Sequence, residues 1–480
     1  MSECPRLRGA ARWCRGLSAL VLLLGAGACA VGPDYRAPGA PSATGYVPGA
    51  PRLPAPGPSE PAQRIVPGVA LPQYWWRGFD SPQLDATVQR ALLRSPTLQQ
   101  ARAVLEQARE AVRVARGGLL PQFDAQAVAS RTRSSPVPGA SELYAAGPLV
   151  SYAPDAFGGT RRLVEQQAAL ARAQGHQLDA ARLALSGQVV GQAVQAASAR
   201  EQLDALEQVL QADRRGVDLV GLALRAGRAS RADLLSAESQ LAADETLRAP
   251  LQQQLALAHD ALARLVGDNA AEWRAPDFQL TRWRLPDALP LVVPSELVRR
   301  RPDIAAAEAD LHAASAAVGV TTANLYPHVT LGADWSAQSA TLGALFAGGS
   351  AWGLSAALSA PLWHGGALRA QRRAAQQAYQ AQLAVYRQTV LLAFNQVADV
   401  LQALDHDARL LRAQQAALRS ADESLQLQRA AYAAGAGDLL QVLAAQRAFG
   451  QARLGYARAR AQRFADTAQW FTVMGAVPAP

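Results

Sequence analysis

The chain is written twice, and this constrains its fold more than any other feature of the sequence. Pro96 and the periodic segment after it match Pro302 and its segment; Pro121 matches Pro327, and both pairs lie 206 residues apart. Pro154-Asp155-Ala156-Phe157-Gly158-Gly159 answers Pro361-Leu362-Trp363-His364-Gly365-Gly366, with the glycines 207 apart. Leu224-Arg225-Ala226-Gly227 aligns with Tyr432-Ala433-Ala434-Gly435 at 208, and Leu265-Val266-Gly267 with Val473-Met474-Gly475 keeps that offset. Four anchors in one order at a near-constant offset define a duplicated unit. Each copy has one grammar: a helix of about 22 residues, Pro, an alternating stretch, a loop, a second alternating stretch, Gly-Gly, and a long helix that turns at Gly and returns. The expected boundaries are 73–267 for the first repeat, 268–301 for an equatorial linker and 302–476 for the second repeat.

The alternating stretches read as strands with one apolar face, expected at 121–133, 146–157, 326–338 and 350–363. Val329, Leu331, Ala333 and Trp335 fall on one side, against Thr330, Gly332, Asp334 and Ser336. Trp352, Leu354, Ala356 and Leu358 alternate with Gly353, Ser355, Ala357 and Ser359. The lengths suit tilted membrane strands, and aromatic residues lie near their ends as an interfacial girdle does. Four strands cannot close a barrel, and an open edge in lipid leaves backbone groups unpaired. Several chains must then share one barrel, and three chains supply twelve strands.

The helical runs are expected at 160–226, 231–266, 367–434 and 438–474. Leu404, Leu411, Leu418, Leu425 and Tyr432 recur every seven residues, and Leu203, Leu210, Val217 and Leu224 repeat those positions 208 earlier. Sustained heptads call for supercoiled packing. A 67-residue helix is about 100 Å long, too long for a compact domain.

The N-terminus reads as an export signal. Arg6, Arg8, Arg12 and Arg15 precede a short apolar run, Leu17 to Leu24, which is too short to span a bilayer. Ala26-Gly27-Ala28-Cys29 follows, and two cleavage readings compete. Ala26-x-Ala28 suits an ordinary signal peptidase. Small residues ending at Cys29 suit lipoprotein processing, after which Cys29 carries acyl chains, although Ala26 stands where such signals usually have Leu. Lipidation is favoured because the chain's three cysteines, Cys4, Cys14 and Cys29, all lie in the first 29 residues. The 451 residues after Cys29 hold no disulfide and no cysteine metal site. Residues 29–72 are Pro- and Gly-rich and read as a lipid anchor with an extended strap. Loss of residues 1–28 lowers the net charge from +9 to about +6.

All 47 basic residues are Arg. Lysine chemistry is therefore excluded, and the arginines are dispersed through helical stretches, which gives no nucleic-acid footprint. His176, His259, His312, His328, His364 and His406 are too scattered to form a metal site. Asp405-His406-Asp407 resembles an acid–base cluster but lies on a heptad helix and reads as a solvated face. Arg299-Arg300-Arg301 reads as an ion-pairing waist. No catalytic residue, cofactor or metal ligand is expected.

These residues carry a resemblance. Tyr74-Trp75-Trp76-Arg77-Gly78-Phe79 with Leu84-Asp85, Arg300-Arg301-Pro302-Asp303, Tyr326-Pro327, and Ala360-Pro361-Leu362-Trp363 with Gly365-Gly366 resemble the outer-membrane factor (TolC-like) family, specifically the lipoprotein-type subunits of RND efflux systems. The resemblance spans about residues 30–476. It implies a mixed α and transmembrane β fold: a homotrimer with a twelve-stranded outer-membrane barrel continuous with a twelve-helix periplasmic tunnel. Its implied partners are outer-membrane lipid, a periplasmic adaptor and an RND-type inner-membrane pump. It implies passive conduction of drugs or other small toxic solutes, gated at the helix tips.

The tip turns are expected at Gly227, Gly435 and Gly437, and the barrel–tunnel junction at Pro121, Gly158, Gly159, Pro327, Gly365 and Gly366. Family members often narrow the tip with an acidic ring just after the second turn. Here Gln441 and Ala444 occupy the usual acidic region, while Asp438 lies one turn nearer the tip and Asp233 matches Gln441 in the first half. Asp438, Gln441 and Asp233 are the aperture candidates, with helix capping as the competing role of Asp438. Two other functions remain open: a duct for type I protein secretion, and a periplasmic coiled-coil scaffold or adhesin without a pore.

Overall fold

The computed structural model describes residues 30–39, 43, 45–49, 53, 63–133 and 140–479. The signal peptide expected at 1–28, the lipidation site Cys29 and parts of the strap lie outside the described residues.

The first half contains β1 (Arg64–Pro67), α1 (Pro82–Arg94), α2 (Pro96–Gly117), β2 (Gln122–Thr132), β3 (Ser141–Tyr152), α3 (Gly159–Arg225), α4 (Arg231–Glu245) and α5 (Arg248–Val266). The second contains β4 (Ala288–Leu291), α6 (Pro294–Arg300), α7 (Pro302–Ala323), β5 (His328–Ser339), β6 (Gly349–Ser359), α8 (Ala367–Ala433) and α9 (Leu439–Val473). The α3 and α8 helices, 67 residues each, are the duplicated long helices.

Three elements depart from expectation, one of them the fourth strand, expected at 350–363, which runs Gly349–Ser359 and stops before Pro361. The returning helix of the first half, expected unbroken at 231–266, is divided into α4 and α5. Pro250 is the cause: it has no N–H for the Thr246 carbonyl four residues back, and its ring crowds that carbonyl. Leu247 instead donates to Asp244 O at 3.1 Å, and the Thr246 hydroxyl donates to Ala243 O at 2.6 Å. The duplicated position is Arg458, and α9 runs unbroken. The second strand, expected at 146–157, runs Ser141–Tyr152. Its pairing with β2 draws Ser141–Ala145 against Val128–Thr132, and Pro154 follows its end.

The chain forms two compact units, each drawing on both halves, so the sequence repeat is not a spatial domain. Of the described residues, one unit draws on 30–39, 104–175 and 306–387. It holds the four-stranded antiparallel sheet in the order β2-β3-β5-β6. Pro148 in the interior strand β3 supplies no ladder donor, and β3–β5 pairing lapses between Ala146 and Leu149.

The other unit comprises 40–103, 176–305 and 388–480. Its centre is aromatic: Trp75, Trp76, Phe79, Phe278, Phe464 and Trp470 are wholly buried. Trp75 stacks on Phe471 at 5.4 Å, and Phe79 lies 5.8 Å from Phe464 and 6.1 Å from Trp283. Asp85 explains the Leu84-Asp85 motif. It accepts from Trp76 Nε1 at 2.8 Å and from Arg77 Nε at 3.1 Å. Partial burial pulls its pKa up, but the bonds from Trp76, Arg77 and Gln89 outweigh that and hold it below the usual carboxylate value. Parallel pairing of β1 with β4 ties the strap to the linker. The heptad leucines Leu210, Leu404, Leu411 and Leu425 are buried between helices.

Candidate functional site: an open sheet, its junction and two hairpin tips

Register gives the sheet two chemically distinct faces. Phe123 stands opposite Val150, Val150 opposite Ala333, and Ala333 opposite Leu354. In the same way Tyr152, Leu331 and Ala356 form a row, and Trp335 faces Trp352. The opposite face carries Asp124, Leu149, Asp334 and Gly353 in one row, and Gln122, Ser151, Gly332 and Ser355 in another. Phe123, Trp352, Leu354 and Leu358 are each more than 70% exposed in the single chain, so their face needs an apolar surrounding. The outer strands β2 and β6 are paired on one side only. No helix among the described residues is long and apolar enough to cross a membrane.

The junction residues gather at the helix ends of the sheet. Pro121 separates α2 from β2, and Pro327 separates α7 from β5. Phe157 stacks on Tyr326 at 4.9 Å between them. Asp155 caps α3, accepting the N–H groups of Thr160 at 3.0 Å and Arg161 at 2.9 Å. Gly158, Gly365 and Gly366 have positive φ of 77°, 58° and 83°. A Cβ on Gly158 would lie 2.6 Å from Ala30 Cα, and one on Gly159 would lie 3.0 Å from Ala323 Cβ.

The strap is fastened here. Val31 N donates to Phe157 O at 3.1 Å. Arg162, itself buried, donates to Val31 O at 3.2 Å, Asp34 at 2.8 Å and Glu165 at 2.7 Å. Tyr35 stacks on His312 at 4.2 Å. His312 Nδ1 lies 3.1 Å from Arg172, which can only donate, so Nδ1 accepts and Nε2–H donates to Glu165 at 2.8 Å. This fixed tautomer and its partners were not legible from scattered histidines. The Arg299-Arg300-Arg301 run is an ion-pairing element as expected. Arg300 pairs with Glu296 at 2.6 Å, and Arg301 binds Asp303 at 2.6 Å and donates to Val473 O at 3.2 Å.

At the tips, Gly227 and Gly435 are left-handed, with φ of 68° and 74°. Arg228 N returns to Ala223 O at 2.8 Å, and Ala436 N to Ala431 O at 3.0 Å, the 6→1 bond of a glycine-terminated helix. Gly437 is obligatory for space, since a Cβ would lie 2.8 Å from Tyr432 N. Asp438 caps α9, accepting from Leu440 N at 3.2 Å. Asp233 completes a capping box with Ser230: it accepts the Ser230 N–H at 2.7 Å, while its own N–H donates to Ser230 Oγ at 3.1 Å. The backbone bond from Ser230, then the hydroxyl bond, hold its pKa below the ordinary value. Gln441 and Ala444 are exposed. Leu440 and Ala444 share a cleft of about 170 Å³ with Ser236 and Gln240, so the two returning arms meet there.

Sequence reasoning missed two carboxylate pairs. Asp213 on α3 bonds to Asp244 on α4, and burial followed by that neighbour pushes Asp213 up to about 6, against Gln446 and Arg447. Asp407 on α8 bonds to Asp466 on α9, and burial followed by Asp466 pushes it up to about 8, against Arg463. The Asp405-His406-Asp407 segment is thus a solvated face only in part. Asp405 pairs outward with Arg409, while Asp407 turns to a second acid. Neither pair recurs at the duplicated positions, so the repeat gave no signal. Among the described residues no three His, Cys, Asp or Glu side chains are grouped to hold a metal.

The chain matches the family described as Outer membrane efflux protein twice, over residues 87–268 and 293–476. It belongs to that family. The two matched segments fall on the two halves of the duplication. Among relatives, it is 34% identical over 396 residues to the pyoverdine export outer membrane protein OpmQ of Pseudomonas aeruginosa, spanning 78% of this chain and 81% of OpmQ. It is 31% identical over 444 residues to the outer membrane protein OprJ of the same organism, spanning 90% and 89% of the two chains. Among solved structures, the outer-membrane channel OprN superposes with a TM-score of 0.82 at 28% identity, covering 93% of this chain and 99% of OprN. As a member of this TolC-like, RND-associated family, the protein resides in the outer membrane with a periplasmic tunnel.

Proposed function

We propose that three copies assemble into a passive export duct, the outer-membrane component of a tripartite efflux system. The observation that carries this reading is the four-stranded sheet with one apolar face and two unpaired edges. In lipid each unpaired backbone group costs several kcal/mol, so β6 of one copy must meet β2 of the next. Successive strands alternate in direction, hence β6 runs opposite to β2 and the junction is antiparallel like the rest. Three copies close a twelve-stranded barrel whose polar face, with Asp124 and Asp334, lines the lumen.

The helices continue the wall into the periplasm. The chain itself does no chemistry; a proton-driven RND-type pump supplies the free energy through a periplasmic adaptor that docks on the tips. Gating is a change in packing at Gly227–Ser230 and Gly435–Asp438, with Asp438 forming a threefold acidic ring as well as capping its helix. Gln441 is the uncharged neighbour of that ring, and Asp233 is held back by its capping box. Cys29, the residue before Ala30, carries the acyl chains of the anchor. The relative OpmQ is named for export of pyoverdine, which supports small solutes as cargo over secreted proteins.

The test is conductance of the purified, detergent-solubilised protein in planar bilayers. Stepwise channels from a trimer, with larger unitary conductance after loosening of the tips, are expected. A stable monomer, or a trimer that stays silent even with loosened tips, refutes the duct and favours a scaffold.

A further inference from the structure

The two hairpin tips share one backbone but not one chemistry. Both turns close on a left-handed glycine and the same return hydrogen bond. Each first-turn position has a counterpart 208 residues on: Arg225 answers to Ala433, Arg228 to Ala436 and Arg231 to Leu439. One turn presents three guanidiniums within seven residues, and its duplicate presents none there. All three arginines are exposed, and among the described residues none is ion-paired within the chain. The nearest acid in sequence, Asp233, is committed to its capping box with Ser230.

Helix stability does not account for this charge. Arg225, in the last turn of α3, suits the negative end of the helix dipole. Arg231 is the first residue of α4, where a cation opposes the dipole, and Arg228 lies in the turn itself. Three like charges so close together repel one another. Half-exposed leucines flank them: Leu219 and Leu222 on one arm and Leu235 on the other. Apolar residues beside arginine exclude water from a docked partner and strengthen its charge-assisted hydrogen bonds.

We propose that the first tip turn docks the acidic end of a partner's helical hairpin, its carboxylates held by Arg225, Arg228 and Arg231. The second turn has Ala433, Ala436 and Leu439 at the same positions and its one acid, Asp438, engaged as a helix cap, so it meets an end without that acidic cluster. This rests on the reading of the tips as the adaptor-facing end of the duct. In a trimer, cationic turns alternate around the ring with turns that carry no arginine and only the capping Asp438, so a partner with alternating ends docks in one register. The cationic turns steer its approach, and the attraction weakens with salt.

The test uses the full-length mature trimer in detergent and two synthetic disulfide-clasped helical hairpins, identical except for three Glu or three Gln at the turn. At about 50 mM salt the trimer is expected to bind the Glu hairpin at least tenfold more tightly, the preference shrinking severalfold at 0.5 M. The triple variant R225Q/R228Q/R231Q is expected to bind both alike, and D438N to keep the preference. A trimer that binds both hairpins equally or neither, or a triple variant that keeps the preference, overturns the proposal. So does equally tight binding of unstructured polyglutamate, which marks simple ion exchange. Conductance of the same samples separates the two readings: a trimer that conducts without preferring the Glu hairpin refutes only the acidic partner, whereas a trimer that prefers it but never conducts refutes the duct.

Discussion

The Asp407–Asp466 pair makes the structure respond to pH. Asp407 is pushed from an ordinary carboxylate value of 3.8 up to about 8, first by burial and then by Asp466, against the attraction of Arg463. The folded protein therefore holds a proton that the unfolded chain releases near pH 4. The stability it contributes is fully present below that point and is lost as pH rises through about 8. A shift of about four pH units corresponds to about 5–6 kcal/mol in a dry site. Asp407 is only half-buried, and water screening reduces the contribution to about 2–3 kcal/mol. Asp407→Asn keeps a donor for Asp466 and removes the repulsion. At pH 8.5 the variant should be about 2–3 kcal/mol more stable than the parent, a rise of about 2–3 °C in Tm for a chain of this size. At pH 5 the lead should be smaller, and below about pH 4 the two should melt together. Asp466→Asn should give a similar gain at pH 8.5, and the double variant little more, because one repulsion is relieved either way. The assay is thermal unfolding of the detergent-solubilised trimer, followed by helical circular dichroism across pH 5–9. A parent equally stable at both ends of that range, or a variant less stable than the parent at pH 8.5, refutes the reasoning.

Trp75→Ala should cost about 3–5 kcal/mol through the cavity left beside Phe471, read as a lower Tm with loss of trimer in native gels. Gly32→Val should detach the strap, because a Cβ there would lie 2.5 Å from Gly319 Cα and φ is 100°; faster proteolysis within residues 30–39, with the helices intact, is the readout. Asp438→Asn keeps an N-cap but removes the charge, so the tip should lose cation selectivity in bilayers with little change in Tm, whereas Asp438→Ala should also cost about 1 kcal/mol. Pro250→Ala should restore the missing helical hydrogen bond and raise helix content at the Thr246–Leu247 break, seen as slower amide exchange there.

Much of this fold was legible because it is periodic. Leu404, Leu411 and Leu425 announce their buried seam by spacing alone, as Leu331, Ala333 and Trp335 announce a strand face. The duplication fixed the order of elements, and Gly227 and Gly435 marked the turns because few other residues accept a left-handed backbone. The periodic pattern runs on through Thr246–Leu247 and does not mark the break there; only Pro250, four residues on, signals it.

The sequence by itself determined the elements, their lengths and the insufficiency of four strands, since these follow from local sterics and from hydrophobic period. Only the tertiary structure decided which distant side chains share an environment. That Asp407 faces Asp466, that His312 lies between Tyr35, Glu165 and Arg172, and that Trp75 stacks on Phe471 depend on how helices and strap are brought together. A repeat or a heptad specifies which face of a helix is buried; it carries no information about which residue of another helix stands opposite, and that pairing sets burial, protonation and charge.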